Sequence, residues 1–126
     1  MIKISTDKAP KAIGPYSQAI KVNGMIYTSG QIPLDEVTGE VVGKCIEEQA
    51  EKVFENLSQI LIAGKSSLDC IVKTTCFLAD ISDFAKFNEV YSKYIKNCPA
   101  RSCVAVKTLP KNVLCEVEVI AIVKEY

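Results

Sequence analysis

Arg101 opens the run Arg101-Ser102-Cys103-Val104-Ala105-Val106. Glu116 and Glu118 interrupt Leu114-Cys115-Glu116-Val117-Glu118-Val119-Ile120-Ala121-Ile122-Val123. Both runs read as strands, and in an extended chain alternate side chains share a face. Arg101 then points with Cys103 and Ala105, and Glu116 points with Glu118, Ile120 and Ile122. The other side of the second run (Cys115, Val117, Val119, Ala121, Val123) is apolar throughout and reads as the core side. The expectation is a single functional face carrying Arg101 and Glu116. A guanidinium matches a planar carboxylate with two parallel charge-assisted bonds. A carboxylate on a rigid strand can orient a water molecule and carry a proton.

No histidine occurs in the chain. That removes the commonest general base and the Ser-His and Cys-His nucleophile pairs. The six cysteines, at 45, 70, 76, 98, 103 and 115, form no Cys-x-x-Cys pair. A zinc site is a poor reading of that spacing, and no metal is expected. Cys76 and Cys115 fall inside apolar strand patterns, where a thiol acts as a small hydrophobe. Reduced cysteines of this kind fit a cytosolic setting.

The 126 residues are enough for one domain, 1–126, that buries roughly two-thirds of its unfolded surface. Fifteen basic and fifteen acidic residues cancel, so nothing favours a polyanion or an anionic membrane. No apolar run approaches the ~20 residues that span a bilayer. Met1-Ile2-Lys3-Ile4-Ser5-Thr6-Asp7-Lys8 turns polar too early for a signal peptide. A cytoplasmic protein without nucleic-acid or membrane partners is expected.

The elements that must position these groups are legible in order. Ile2 to Ser5 is a strand candidate, followed by a turn-rich loop from Ala9 to Ser17. Gln18–Val22 and Met25–Ser29 flank Asn23-Gly24, the strongest short hairpin signal. Glycine in Ser29-Gly30-Gln31 lets another group approach the backbone. Cys45 to Ala63 carries a helical stripe of Ile46, Ala50, Val53, Phe54, Leu57, Ile60 and Leu61, with Gly64 as a stop signal at C′. Cys70 to Leu78 is a β-branched, buried strand. Ser82 or Asp83 can cap a second helix with Phe84, Phe87, Tyr91, Tyr94 and Ile95 inward, ended by Asn97 and Pro99.

The order is β-β-β-α-β-α-β-β, an α+β chain with two helices packed on one face of a mixed sheet. The opposite face is expected to keep Ile120, Ile122, Val72, Thr74 and Leu78 or their partners. A face this apolar is rarely left in water. Arginine and glutamates there are costly unless paired or set in a cleft. Self-association through the open face, with polar groups in clefts between subunits, answers both points.

Six segments recur in a familiar order. They are Ile13-Gly14-Pro15-Tyr16-Ser17-Gln18-Ala19, Thr28-Ser29-Gly30-Gln31-Ile32-Pro33, Thr38-Gly39-Glu40-Val41, Ile71-Val72-Lys73-Thr74-Thr75, Phe84-Ala85-Lys86-Phe87-Asn88-Glu89-Val90-Tyr91 and Pro99-Ala100-Arg101-Ser102-Cys103. Together with Glu116-Val117-Glu118 they make nearly the whole chain resemble the RidA (YjgF) family of reactive-intermediate deaminases. Each motif alone is weak; in order and at this spacing they are specific.

The resemblance implies a chorismate-mutase-like fold, assembled as a homotrimer around a central barrel with sites between subunits. It implies hydrolysis of 2-aminoacrylate, 2-iminopropanoate and 2-iminobutanoate to 2-oxo acids and ammonia, without a cofactor. Such species are released by pyridoxal-phosphate-dependent serine and threonine dehydratases. It assigns catalysis to Arg101 and Glu116. The pocket would be lined by Tyr16, Ser29, Gly30, Asn88 and Cys103, the last mainly through its backbone. Only the Ile95–Cys98 loop departs, being short beside some members.

Those roles make chemical sense. Holding the substrate carboxylate fixes C2 relative to a water, and an imine that already hydrolyses in water asks mainly for positioning. Simpler readings stand beside each role. Arg101 as a surface ion-pair residue, Glu116 as a strand-end partner of a lysine, Glu118 as the more important carboxylate and Tyr16 as packing all remain open. Cys103 lacks a base and reads as an inert thiol. A non-catalytic trimer that binds small carboxylates or regulates another protein is the main alternative function. An endoribonuclease is disfavoured by zero net charge and the absence of histidine.

Overall fold

The computed structural model describes residues 1–124. Along them run β1 (Ile2–Ile4), β2 (Ala19–Val22), β3 (Met25–Thr28), α1 (Ile46–Ala63), β4 (Ile71–Leu78), α2 (Phe84–Tyr94), β5 (Ala100–Ala105) and β6 (Cys115–Ile122), with short 3₁₀ turns between some of them. The α+β order is the one the sequence predicts. The strands form one mixed sheet in the order β1-β2-β3-β6-β4-β5, in which β4 and β5 are parallel and the other neighbours antiparallel. Asn23 and Gly24 both take positive φ, 51° and 75°. That is the backbone a two-residue turn needs to match strand twist.

Both helices cover the same sheet face. The α1 stripe buries Val53, Phe54, Leu57, Ile60 and Leu61 completely against Cys76, Leu78, Val117, Val119 and Ala121. Phe54 is the centre of an aromatic cluster, 5.5 Å from the Tyr94 ring, 5.7 Å from Tyr91 and 6.0 Å from Phe87. These contacts dock α2 on α1, and Phe54→Ala costs about 3–5 kcal/mol by the usual scale for buried aromatics.

Local details correct the sequence reading. At the start of α1, Glu48 in the first turn accepts from the Lys44 N–H (3.1 Å) and the Cys45 thiol (3.3 Å). Before α2 it is Asp80, not Ser82 or Asp83, whose carboxylate caps, accepting from the Ser82 N–H at 2.8 Å. Gly64 has φ −90° and needs no left-handed freedom; Lys65 takes that conformation at φ 68°. Gly64 is small because a Cβ there would meet the Cδ1 atoms of Ile4 and Ile26 at 2.6 and 2.7 Å.

The largest correction concerns β4. Its pairing with β6 passes from Ile71↔Ala121 to Lys73↔Ile120, so Val72 is an extra residue in the ladder. This bulge resets the alternation. Thr74 and Leu78, expected on the open face, are fully buried under the helices. The uncovered face instead presents Tyr27, Ile120, Ile122 and Val104, three of them more than 40% exposed.

Candidate active site

Arg101 is the second residue of β5, the edge strand, and is paired in register with Thr74 of β4. In-register partners share a face, so Arg101 turns toward the helices. There α2 supplies Phe84, Asn88 and Tyr91, spaced four and three residues apart along one helix side. Arg101 Nη1 donates to Asn88 Oδ1 at 2.7 Å. The Arg101 Cζ lies 4.8 Å from the Tyr91 ring centroid and 5.4 Å from that of Phe84. Beneath them the Tyr91 hydroxyl and Thr74 Oγ1 share a buried hydrogen bond of 2.8 Å. Burial pushes the Tyr91 phenol up, partly offset by that bond, so it stays protonated.

Cys103 shares the Arg101 face and is in register with Cys76. Burial pushes the Cys103 thiol up although Arg101 opposes the shift, and burial drives Cys76 up to about 12. Neither is a ready nucleophile. The backbone of Cys103 is more useful. The Val106 N–H bonds to the Leu78 carbonyl at 2.9 Å. The two-residue period of a parallel ladder therefore turns the Cys103 N–H to the free edge of the sheet.

Glu116 follows a different geometry. It is in register with Phe77, on the sheet face away from the helices. It is half-buried, and desolvation first, then the neighbouring Glu118, pushes its carboxyl above the ordinary value of 4.5. Its carboxylate lies over Gly30, so close that a Cβ on residue 30 would collide with it. The backbone makes this room by local irregularity. β3 ends at Thr28, whose Oγ1 satisfies the Val119 N–H at 3.0 Å. Gln31 then rejoins β6 through paired bonds with Val117, leaving Ser29 and Gly30 to arch between.

A cleft of about 350 Å³ opens beside Glu116, lined among others by Tyr16, Ser29, Gly30, Ile32 and Pro110. The Tyr16 ring packs beside Gly14, and its hydroxyl accepts from the Ile13 N–H at 3.3 Å, which leaves its own proton free. The Ser29 hydroxyl donates to the Ser17 carbonyl at 2.6 Å and so ties the Tyr16 loop to the strand. Gln18, buried, holds the outer wall: its amide donates to the carbonyls of Thr6, Ala9 and Pro10 and accepts from the Thr6 N–H. A larger hollow of about 640 Å³ beside α1 holds none of the predicted residues. Its lining mixes Lys8 and Lys52 with Asp7, Glu36 and Glu55, and the Lys52–Glu36 pair at 2.9 Å makes it an ordinary solvated surface.

The predicted residues thus separate into two groups. Arg101, Asn88 and Cys103 lie on the helix side at the sheet edge; Tyr16, Ser29, Gly30 and Glu116 lie in the cleft on the other side. The expectation that Arg101 and Glu116 share one face of the chain is overturned. Alternation fixes faces within a strand, but the relation between β5 and β6 runs through β4, where Arg101 is paired with Thr74 and Glu116 with Phe77, three residues apart and so on opposite faces. Sequence reasoning also missed the supporting residues Thr74, Phe84, Tyr91 and Gln18. Phe84 and Tyr91 were assigned to the core, and only the Phe84-Asn88-Tyr91 helical spacing pointed to a shared partner.

The Endoribonuclease L-PSP family model matches residues 6–123. The chain belongs to the RidA (YjgF) family. A RutC family protein of Saccharolobus solfataricus is 56% identical over 119 residues, covering 94% of each chain. The human 2-iminobutanoate/2-iminopropanoate deaminase is 48% identical over 120 residues, 94% of this chain and 88% of its own. Among solved structures, Escherichia coli TdcF with bound serine superposes with a TM-score of 0.93 at 41% identity, covering 98% of this chain and all of that one. RidA relatives therefore share this fold and carry several functional names.

Proposed function

We propose that the chain hydrolyses 2-imino acids and their enamine tautomers, such as 2-aminoacrylate, 2-iminopropanoate and 2-iminobutanoate. Water adds at C2, the C–N bond breaks, and the products are a 2-oxo acid and ammonia. Arg101 carries the reading. Asn88 occupies one guanidinium nitrogen, the aromatic rings of α2 lie against it, and an edge of the fork remains for a carboxylate at the free margin of β5. The Cys103 N–H at that margin offers a further donor. The deaminase name of the human relative and the serine held by the Escherichia coli relative support a site for small amino-acid-like substrates.

Glu116 completes the chemistry from another subunit in this reading. A half-buried carboxylate with a raised pKa and no cationic partner among the described residues can take a proton from water and return it to the leaving amine. Tyr16, with its free hydroxyl proton, faces the same cleft. Because Arg101 and Glu116 occupy opposite faces of one chain, a homotrimer in which β5 of one subunit approaches the Glu116 cleft of the next unites them. The exposed Tyr27, Ile122 and Val104 give that assembly an apolar surface to bury. The six free thiols fit the reducing cytoplasm. Pyridoxal-phosphate-dependent serine and threonine dehydratases are the proposed source of substrate.

The test is a coupled assay in which this protein is added to a serine or threonine dehydratase and release of pyruvate or 2-oxobutanoate is followed. Faster release supports the deaminase. Unchanged release with measurable 2-oxo acid binding supports instead a carboxylate-binding or regulatory trimer, because the same Arg101 fork serves both. The ribonuclease activity in the family description finds less support, since net charge is zero and histidine is absent.

A further inference from the structure

We infer that Tyr91 and Phe84 are positioning residues for Arg101, an aromatic clamp that fixes the plane of the guanidinium and thereby sets the affinity for the substrate carboxylate. This rests on the proposed role of Arg101 in gripping a 2-imino acid. A guanidinium has two kinds of surface: its faces stack on rings, while its edges carry all five N–H donors. Arg101 Cζ lies over both rings, 4.8 Å from the Tyr91 centroid and 5.4 Å from that of Phe84, and Asn88 takes one donor of Nη1 at 2.7 Å. A ring brings no oxygen to take up the remaining N–H donors. The clamp therefore restrains the side chain without competing with the carboxylate, which a carboxylate counter-ion at the same place would do.

The Tyr91 ring is itself held. It meets Phe54 edge-on at 5.7 Å and Phe87 at 6.1 Å, and its hydroxyl is bonded to Thr74 at 2.8 Å. Thr74 is the in-register β4 partner of Arg101. The chain of contacts closes on itself: Arg101 to Tyr91, Tyr91 to Thr74, Thr74 through the parallel ladder back to Arg101. Thr74 is a polar residue at a fully buried strand position, and this bond satisfies it. Phe84 reaches the guanidinium from the first turn of α2, its ring centroid 5.4 Å from Cζ, and is about one-third exposed, far more than a core phenylalanine.

The test uses the purified full-length protein with Tyr91→Leu, Tyr91→Phe and Phe84→Leu. Two quantities are read: the dissociation constant for 2-oxobutanoate, and KM and kcat for 2-iminobutanoate generated in situ. Tyr91→Leu is expected to raise the dissociation constant and KM about tenfold with kcat changed less than about twofold. Phe84→Leu, at the rim and safe for folding, is expected to shift the same constants in the same sense by about threefold. Tyr91→Phe keeps the ring, loses the Thr74 bond and should fall between wild type and Tyr91→Leu. The Arg101 Nε–H proton resonance gives an independent reading, because ring currents displace it in the wild type and Tyr91→Leu should remove that displacement.

A merely structural role would lower the melting temperature and the active fraction, hence kcat, while leaving KM and the resonance in place. That pattern, or wild-type 2-oxobutanoate affinity in both Leu variants, overturns the clamp. If the wild type itself neither binds 2-oxobutanoate nor turns over the imine, the proposed function fails. The resonance of Arg101 then still decides whether the clamp exists.

Discussion

The carboxylate of Glu116 occupies the space that a Cβ on residue 30 would need, so Glu116 of β6 and Gly30, in the arch that follows β3, are sterically linked. A glycine is required there by close approach rather than by backbone angle. Gly30→Ala should push the carboxylate out of the cleft while the hairpin and core stay intact. Turnover is expected to fall by ~10²-fold, approaching loss of the carboxylate itself, with the melting temperature nearly unchanged. Wild-type kcat in Gly30→Ala would show that the position of Glu116 is immaterial.

The raised pKa of Glu116 has a consequence for stability. Folding desolvates the carboxyl and sets it near Glu118, so the folded state holds its proton more tightly than the unfolded chain. Between the ordinary value of 4.5 and the higher folded value, the folded state binds more protons, and stability falls as pH rises through that window. Above the window the penalty is complete; below both values it vanishes. Glu116→Gln should therefore raise the melting temperature at neutral pH and leave it unchanged below about pH 4. An equal shift at both pH values would assign the gain to packing instead of charge.

The same substitution separates binding from proton transfer. Glu116→Gln should leave 2-oxobutanoate affinity close to wild type, because Arg101 still grips the carboxylate, and should lower kcat by ~10²–10⁴-fold. The acid limb of the pH–rate profile, shifted upward by burial of this carboxyl, should disappear with it. Glu118→Gln, two residues along the same face and exposed, should be milder. Normal turnover in Glu116→Gln would leave catalysis to positioning alone.

For Arg101, charge and shape can be told apart. Arg101→Ala should abolish turnover with the fold retained, since the residue is on an edge strand and Phe54, Phe87 and Val117 hold the core without it. Arg101→Lys should recover little, because an ammonium offers neither the planar two-point grip nor the guanidinium contact over the Tyr91 ring. Near-wild-type activity in the lysine variant would contradict the bidentate picture.

Most of the architecture was legible because it is written in local patterns. The α1 stripe, the Asn23-Gly24 turn and the alternation in β6 each depend on residues a few positions apart. The faces of β4 were not legible, because the Val72 bulge is a property of the β4–β6 pairing and leaves no mark in the β4 sequence. That one residue moved Thr74 and Leu78 to the core. The identities of Arg101 and Glu116 stood out as ionised residues in apolar strands, yet the faces they take depend on two ladders, β5 on β4 and β4 on β6. Phe84 and Tyr91 were visible only as apolar helix positions, since a ring that stacks on a cation and a ring that fills a core look alike in sequence.

The central claim, one site built from two subunits, is tested most directly by mixing two inactive variants. Arg101→Ala and Glu116→Gln proteins, dissociated together and reassembled in equal amounts, should form mixed trimers if the proposed assembly holds, with an intact Arg101 opposite an intact Glu116 at some interfaces. Statistical exchange places both intact residues at about one site in four, so imine turnover should recover to about a quarter of wild type. Light scattering on the mixture should give three times the 13.8 kDa chain mass. No recovery in a mixture with proven subunit exchange, or full activity in a stable monomer, would contradict the account.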